Sequence, residues 1–311
     1  MKKDKIIIGT RGSLLALWQA HELARLLQVP TELKIIKTSG DRFLEVPLQG
    51  RLEKGFFTKE IEHHLLTREI DLAVHSLKDL PTEGDSQLTV GAYLKRAAVN
   101  DLLLVRPDGH DPARVFPVKE GCATGATALR RQSLLKFYAP QAKAMMLRGN
   151  VPTRARKVKE GEFGAIIIAR AGVERLKLDV KGLFVYELNA EVWLPAPGQG
   201  AIAVEVRAEN KYALELLARI NDPATRDAVY LERKLLSNFE GGCHTAFGAY
   251  ARPADNGWKI IVGMEHKDLI WVETTINCSF AECEKHGPKT LTDLQTRPVA
   301  KQEDICRPIE L

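Results

Sequence analysis

The chain has 311 residues, of which 45% are apolar and 27% charged, so disorder is not expected. Lys and Arg total 45 against 40 Asp and Glu, a mildly basic balance that allows an acidic small molecule or a nucleic acid as partner and establishes neither. The apolar run before Gly9 is too short for a signal peptide, and no stretch approaches the ~20 apolar residues of a membrane span. We therefore expect a cytoplasmic protein with no membrane partner.

Short apolar runs alternate with amphipathic stretches through the first two-thirds of the chain. Strands are predicted at 5–9, 31–38, 71–76 and 88–93, and helices at 13–27 and 57–67. The pattern restarts after Asp101, with strands at 102–106, 121–125, 144–147 and 165–169, and helices at 129–137, 151–160 and 172–176. This alternation predicts two α/β units built on parallel sheets.

The last third of the chain predicts a different arrangement. Residues 193–200 (WLPAPGQG) are rich in Pro and Gly, which indicates a segment crossing between units. A strand at 201–207 and a helix at 210–220 follow. A helix from 224 to 239 and strands at 246–252, 258–265 and 269–277 then predict a small α+β domain.

The cysteines predict neither a disulfide framework nor a metal site. Their number is odd and no CxxC pair occurs. Cys278, Cys283 and His286 lie close in sequence, but their spacing fits no standard zinc pattern. The five cysteines are Cys122, Cys243, Cys278, Cys283 and Cys306.

Several charged or polar side chains directly follow predicted strands or open predicted helices. They are Arg11, Ser13, Lys78, Asp79, Arg130, Arg131 and Arg148. Ligands of open α/β sheets bind outside the carboxyl ends of strands, where helix N-termini favour anions. Arginine forks match carboxylates in two hydrogen bonds, so the set predicts a cleft between two units for a ligand with several carboxylates. For any single arginine, Arg154 included, a solvated helix charge is the simpler interpretation.

Asp79 and Cys243 each allow two interpretations. An ionised Asp79 among arginines could stabilise a cationic intermediate and transfer protons, although an Asp before Leu-Pro is more often a turn or capping residue. Cys243 follows two glycines, which indicates a tightly turning, exposed loop. A buried structural cysteine is an equally good interpretation of Cys243 by spacing alone.

Nine stretches carry a resemblance to a known family. They are GTRGSLLALWQA (9–20), KTSGD (37–41), KGFFTKE (54–60), DLAVHSLKDLP (71–81), ALRRQ (128–132), LRGNVPTR (147–154), AIIIARAGVERL (165–176), LPAPGQGAIAVE (194–205) and LERKLLSNFEGGCHTAFGAYA (231–251). Together and in this order they resemble the hydroxymethylbilane synthase (porphobilinogen deaminase) family, up to about residue 252.

The resemblance implies an α/β fold of two type II periplasmic-binding-protein-like domains and a small C-terminal α+β domain. Domain 1 would comprise 1–96 and 197–218, domain 2 would comprise 97–196, and domain 3 would comprise 219–311. It also implies a cytoplasmic monomer without a metal ion.

The family's reaction implies a role for each matching residue. Four porphobilinogen molecules would be condensed, with loss of ammonia, on a dipyrromethane cofactor bound through a thioether to Cys243, and hydrolysis would release hydroxymethylbilane. Asp79 would be the catalytic carboxylate. The cofactor- and substrate-binding residues would be Arg11, Ser13, Gln19, Ser76, Lys78, Thr127, Arg130, Arg131, Arg148, Arg154 and Arg175.

Two departures and two alternatives accompany this assignment. Ala126 and Ala128 stand where the family usually has hydroxyl residues, and Pro152 is unusual after Arg148. One alternative is a non-catalytic protein that binds an anionic ligand on the same fold. The other is a nucleic-acid-binding protein, which the 6% aromatic content and the interleaved acidic residues disfavour.

Overall fold

The computed structural model describes residues 4–39, 58–238, 246–266, 270–283 and 302–311. The chain divides into two compact units. Unit 1 comprises 1–97 and 200–227, and unit 2 comprises 98–199 and 228–311.

Unit 1 is built on a five-stranded mixed sheet with the order β2-β1-β3-β10-β4. Strand β1 is parallel to β2 and β3, whereas β10 is antiparallel to β3 and β4. Its strands are β1 (Ile6–Thr10), β2 (Thr31–Ile35), β3 (Leu72–Ser76), β4 (Leu88–Tyr93) and β10 (Ile202–Arg207), and its helices are α1 (Leu14–Leu27), α2 (Lys59–Leu66) and α6 (Lys211–Ala218).

The two faces of this sheet bury separate apolar clusters. Ile8, Leu23 and Val204 belong to the cluster that includes α1 and α6. Ile61 and Leu65 of α2 belong to the other. Apolar residues spaced at three and four along each helix produce these buried stripes.

Unit 2 contains a six-stranded mixed sheet with the order β14-β9-β5-β8-β6-β7. Strand β6 is parallel to β7 and β8, and β5 is antiparallel to β8 and β9. The strands are β5 (Asp101–Val105), β6 (Ala123–Ala126), β7 (Lys143–Met146), β8 (Ala165–Ala169), β9 (Phe184–Leu188) and β14 (Cys306–Pro308), and the helices are α3 (Leu129–Tyr138), α4 (Val151–Lys159), α5 (Arg170–Arg175) and α9 (Gln302–Ile305).

A second, three-stranded antiparallel sheet lies in the later part of the chain. Its strands are β11 (Phe247–Ala254), β12 (Gly257–His266) and β13 (Ile270–Cys278), and its helices are α7 (Pro223–Asn238) and α8 (Phe280–Cys283). Leu231 and Leu235 of α7 pack with Phe247 and Ile260 of the sheet.

The α/β fold class is confirmed, but the prediction of parallel sheets was wrong for β5 and β10. A parallel connection between neighbouring strands requires a long crossover, usually a helix. Strands β5 and β10 instead come directly after a segment that joins the units, with no helix of their own sheet before them. Strands β9 and β14 had not been predicted. The division into three domains stays a prediction.

The cysteines also differ from expectation, because Cys278 is disulfide-bonded. Cys122 and Cys306 are free and buried. Across the described ranges, no helix is both long and apolar enough to cross a membrane.

Candidate functional site

In unit 1, the carboxyl end of β1 leads directly into the first helix. Arg11 follows β1 and is half-buried. Ser13 is the N-cap of α1, and its Oγ accepts a hydrogen bond from the amide of Ala16 at 3.3 Å. This cap fixes where the helix begins, and therefore where Arg11 lies relative to it.

Three of the predicted residues lie at the carboxyl end of the neighbouring strand β3, and a fourth contacts it from α1. Gln19 of α1 is buried and donates from Nε2 to Ser76 Oγ at 2.7 Å, which ties α1 to the end of β3. Lys78 and Asp79 lie in the 3₁₀ turn Leu77–Asp79, whose first residue, Leu77, is buried. With Leu77 anchored in this way, Lys78 is half-buried and Asp79 is exposed.

In unit 2, Thr127, Arg148 and Arg154 lie around the adjacent carboxyl ends of β6 and β7. Thr127 Oγ1 donates to the carbonyl of Leu147 at 2.5 Å, and Arg148 is the next residue. Arg154 Nε donates to the carbonyl of Gly149 at 2.7 Å. Arg175 is placed separately, as the last residue of α5, the helix that follows β8.

Arg130 and Arg131 were predicted at a ligand-facing helix start, and both are buried, each only 4% exposed. Arg130 Nη2 donates to Asp101 Oδ2 at 2.9 Å. Arg131 donates to the same carboxylate from Nε at 3.0 Å and from Nη2 at 2.7 Å. Their proposed role in binding ligand acids stays a prediction, because the contacts described here are to Asp101.

Sequence reasoning missed Asp101 and two further residues that bind it. Trp193 Nε1 donates to Asp101 Oδ2 at 3.2 Å, and Gln199 Nε2 donates to Oδ1 at 2.8 Å. The available signal was an aspartate opening the apolar run DLLLV, where a buried charge requires a partner.

The charges of this cluster do not balance. One carboxylate faces two guanidinium groups, and arginine remains protonated in proteins. Burial lowers the pKa of Arg130, which shows the cost of enclosing the surplus charge. The Nε of Arg130 has no hydrogen-bond partner among the described residues. The cluster therefore carries one surplus positive charge, which favours anions in its surroundings.

The structure explains Pro152 and locates the two alanines noted in the sequence. Pro152 lies in the first turn of α4, where its missing N–H costs nothing, and Asn150 caps that helix. Ala126 is fully buried at the end of β6. Ala128 is the N-cap of α3 and provides no side-chain hydrogen bond there.

Cys243 lies outside the described residues. Within those that are described, no group of three or more His, Cys, Asp or Glu side chains could hold a metal ion.

Comparison with known proteins identifies the family. Residues 6–215 match the family model described as "Porphobilinogen deaminase, dipyromethane cofactor binding domain". The chain belongs to the porphobilinogen deaminase family. The matched range contains every predicted site residue of the family except Cys243.

Relatives from bacteria and archaea extend the match over most of the chain. Porphobilinogen deaminase of Carboxydothermus hydrogenoformans is 39% identical over 316 residues, covering 99% of each chain. That of Brevibacillus brevis is 42% identical over 262 residues, covering 83% of each. Probable porphobilinogen deaminase of Methanocaldococcus jannaschii is 43% identical over 249 residues, covering 79% of this chain and 82% of its own.

Proposed function

We propose that this chain is a hydroxymethylbilane synthase in which Asp79 is the catalytic carboxylate. It joins four porphobilinogen molecules head to tail, with release of ammonia at each addition, and frees the linear tetrapyrrole hydroxymethylbilane by hydrolysis. The observation that carries the proposal is an exposed carboxylate on an anchored turn, next to Lys78, within the range that matches the family's cofactor-binding domain.

Asp79 supplies negative charge where the reaction develops positive charge. When ammonia leaves the aminomethyl carbon of porphobilinogen, electrons of the pyrrole ring compensate and its nitrogen becomes cationic. A carboxylate at that nitrogen stabilises the cation. After the new carbon–carbon bond forms, one proton must leave the nucleophilic ring carbon, and Asp79 is the group proposed to accept it.

The cationic residues bind the acid side chains of the substrate and of the growing product. Each pyrrole brings two carboxylates, so elongation adds negative charge at every step. The residues proposed for this role are Arg11, Lys78, Arg130, Arg131, Arg148, Arg154 and Arg175. Ser13, Ser76 and Thr127 supply hydroxyl groups, and the buried Gln19 orients Ser76 through their hydrogen bond.

Cys243 is the proposed attachment point of the dipyrromethane cofactor, through a thioether. When bound, that group supplies the nucleophilic ring carbon to which the first substrate is added. We further propose a cytoplasmic monomer with porphobilinogen as substrate, and the three domains predicted from the sequence.

Intact-mass spectrometry of the purified protein tests this proposal. The wild-type chain should carry excess mass equal to two linked pyrrole units, and Cys243→Ala should lack it. Cys122→Ala is the matched control, because Cys122 is a free, buried cysteine that should not affect the adduct.

A bare wild-type mass would require a second measurement after incubation with porphobilinogen. Gain of the adduct would identify a competent apo-enzyme. Its continued absence would overturn the proposal and favour a non-catalytic anion-binding protein.

A further inference from the structure

Asp101 is a heavily hydrogen-bonded acid that lies outside the proposed catalytic turn. It opens β5, is 0% exposed, and accepts at least five hydrogen bonds from four side chains. Three reach Oδ2 and two reach Oδ1. Both oxygens are therefore committed to the protein, and Asp101 cannot act on a substrate itself.

The two arginines are held to different degrees. Each nitrogen of the Arg131 guanidinium donates, two to Asp101 and Nη1 to the carbonyl of Ile167 at 3.4 Å. Arg130 donates from Nη2 to Asp101 and from Nη1 to the carbonyl of Leu194. Its Nε is buried without a partner among the described residues.

The same carboxylate holds two stretches that adjoin the junctions between the units along the chain. Gln199, the last residue of unit 2 before the chain returns to unit 1, donates to Asp101 and also to the carbonyl of Val99 at 2.7 Å. Val99 lies just after the first junction. Trp193 adds a donor from the start of the WLPAPGQG segment.

Stability alone does not account for such a cluster. A buried ion pair usually gains little over apolar residues of similar volume, because removing the charges from water is costly. Here the cost is higher, since one carboxylate neutralises only one of two guanidinium groups. A role in fixing the geometry and charge of Arg130 gives the arrangement a function.

We infer that Asp101 is a positioning residue for the proposed reaction. It accepts two hydrogen bonds from Arg131 and one from Arg130, whose Nε has no partner among the described residues, and its single negative charge leaves the cluster with one positive unit. Through Gln199 and Trp193 it also fixes the segment that ends at the second junction. The inference rests on the proposed function, because the acid side chains of porphobilinogen and of the cofactor are the anions that this charge attracts.

Asp101→Asn tests the inference, with Asp71→Asn as the matched control. Asp71 is likewise a buried aspartate, 1% exposed and 3.6 Å from an arginine, Arg207, but it precedes β3 at the end opposite Ser76. Both variants should unfold at lower urea concentration. Only Asp101→Asn should raise KM for porphobilinogen, by about tenfold, the effect of misplacing one charged hydrogen bond. It should lower kcat less.

Cofactor loading provides a readout that does not depend on turnover. By intact mass, Asp101→Asn should contain a smaller fraction of the two-pyrrole adduct than Asp71→Asn at equal stability. If Asp101→Asn does not fold, Trp193→Phe removes a single N–H donor and keeps the aromatic ring. It should raise KM in the same direction, and the urea midpoint should also fall because the smaller ring fills less of the buried Trp193 site.

Two results would overturn the inference. One is equal KM and equal adduct fraction for the Asp101 and Asp71 variants; the other is an unchanged KM in Trp193→Phe when Asp101→Asn cannot be folded. Failure of the proposed function is distinguishable, because the wild-type protein would then show neither adduct nor turnover.

Discussion

The main sheets of units 1 and 2 share one arrangement of strands and differ in how they hold charge. In the order of each sheet, three mutually parallel strands lie next to one antiparallel strand, which is β10 in unit 1 and β5 in unit 2. Along the chain, that antiparallel strand comes directly after a junction between the units. At the carboxyl end of β3, unit 1 exposes Asp79 on a turn. Unit 2 instead encloses Asp101 with two arginines.

This difference separates two uses of an aspartate. An exposed carboxylate keeps its oxygens available for a substrate, whereas one with five donors has none to offer. We therefore propose that the chemistry belongs to unit 1 and the organisation of cationic residues to unit 2. Each of the following changes tests one side of it.

The largest effect is expected from Asp79→Asn. The turn is anchored by Leu77, so the fold and the cofactor adduct should persist, while kcat should fall by ~10²–10⁴, the usual cost of losing a positioned acid–base or electrostatic group. Single-turnover kinetics and intact mass measure the two properties. Asp85→Asn, another exposed aspartate of unit 1, is the control. Near-normal turnover in Asp79→Asn would remove the catalytic assignment.

Replacing an arginine of the buried cluster and replacing an arginine at the carboxyl end of β7 should have different effects on stability and KM. Arg131→Leu removes two charged hydrogen bonds to Asp101, whereas Arg130 still neutralises that carboxylate. The free energy of unfolding should therefore fall by about 1.5–3 kcal/mol. Arg148→Leu, at a half-buried position, should change stability little and raise KM. Urea unfolding and steady-state kinetics on both proteins check this. Equal stability losses would contradict the distinction.

Periodicity in the sequence predicted most helices and strands because apolar spacing records which face is buried. It located α1, β3, β4 and β8 to within about one residue. It missed β9 and β14, which pair with each other, and the sheets predicted to be parallel are mixed because β5 and β10 are antiparallel to their neighbours. Strand direction depends on how the chain crosses between units, a property that local spacing does not carry.

Candidate site residues were predictable where they directly follow a strand or cap a helix. Asp79 and Lys78 follow directly from the end of β3, and Ser13 from its capping position. The cluster around Asp101 was not predictable, because its other members lie 29 to 98 residues from Asp101 along the chain. An arginine that opens a helix looks the same in sequence whether it faces solvent or a buried carboxylate.

Helix capping gives a smaller test of the same comparison. Helix α1 of unit 1 has Ser13 as its N-cap, whereas the N-cap of α3 in unit 2 is Ala128, which has extended backbone dihedrals but no side-chain acceptor. Ala128→Ser should stabilise the protein by about 1 kcal/mol, and Ser13→Ala should destabilise it by about the same amount. Thermal unfolding measures both. No gain from Ala128→Ser would mean that other groups already satisfy the free amides of α3.

The smallest effect concerns pH and is confined to unit 2. Burial lowers the pKa of His110, whose Nε2 lies 2.6 Å from Tyr186 Oη and whose ring stacks on Phe184 at 3.8 Å. Because the folded pKa lies below the unfolded value of about 6.5, the unfolded chain binds the proton first as pH falls. This contribution to stability is complete above pH 6.5 and is lost as pH falls through the folded pKa. The melting temperature should therefore drop between pH 7.5 and 5.5 by less in His110→Gln than in the wild-type protein. A drop of the same size in both would show that other groups cause the acid sensitivity.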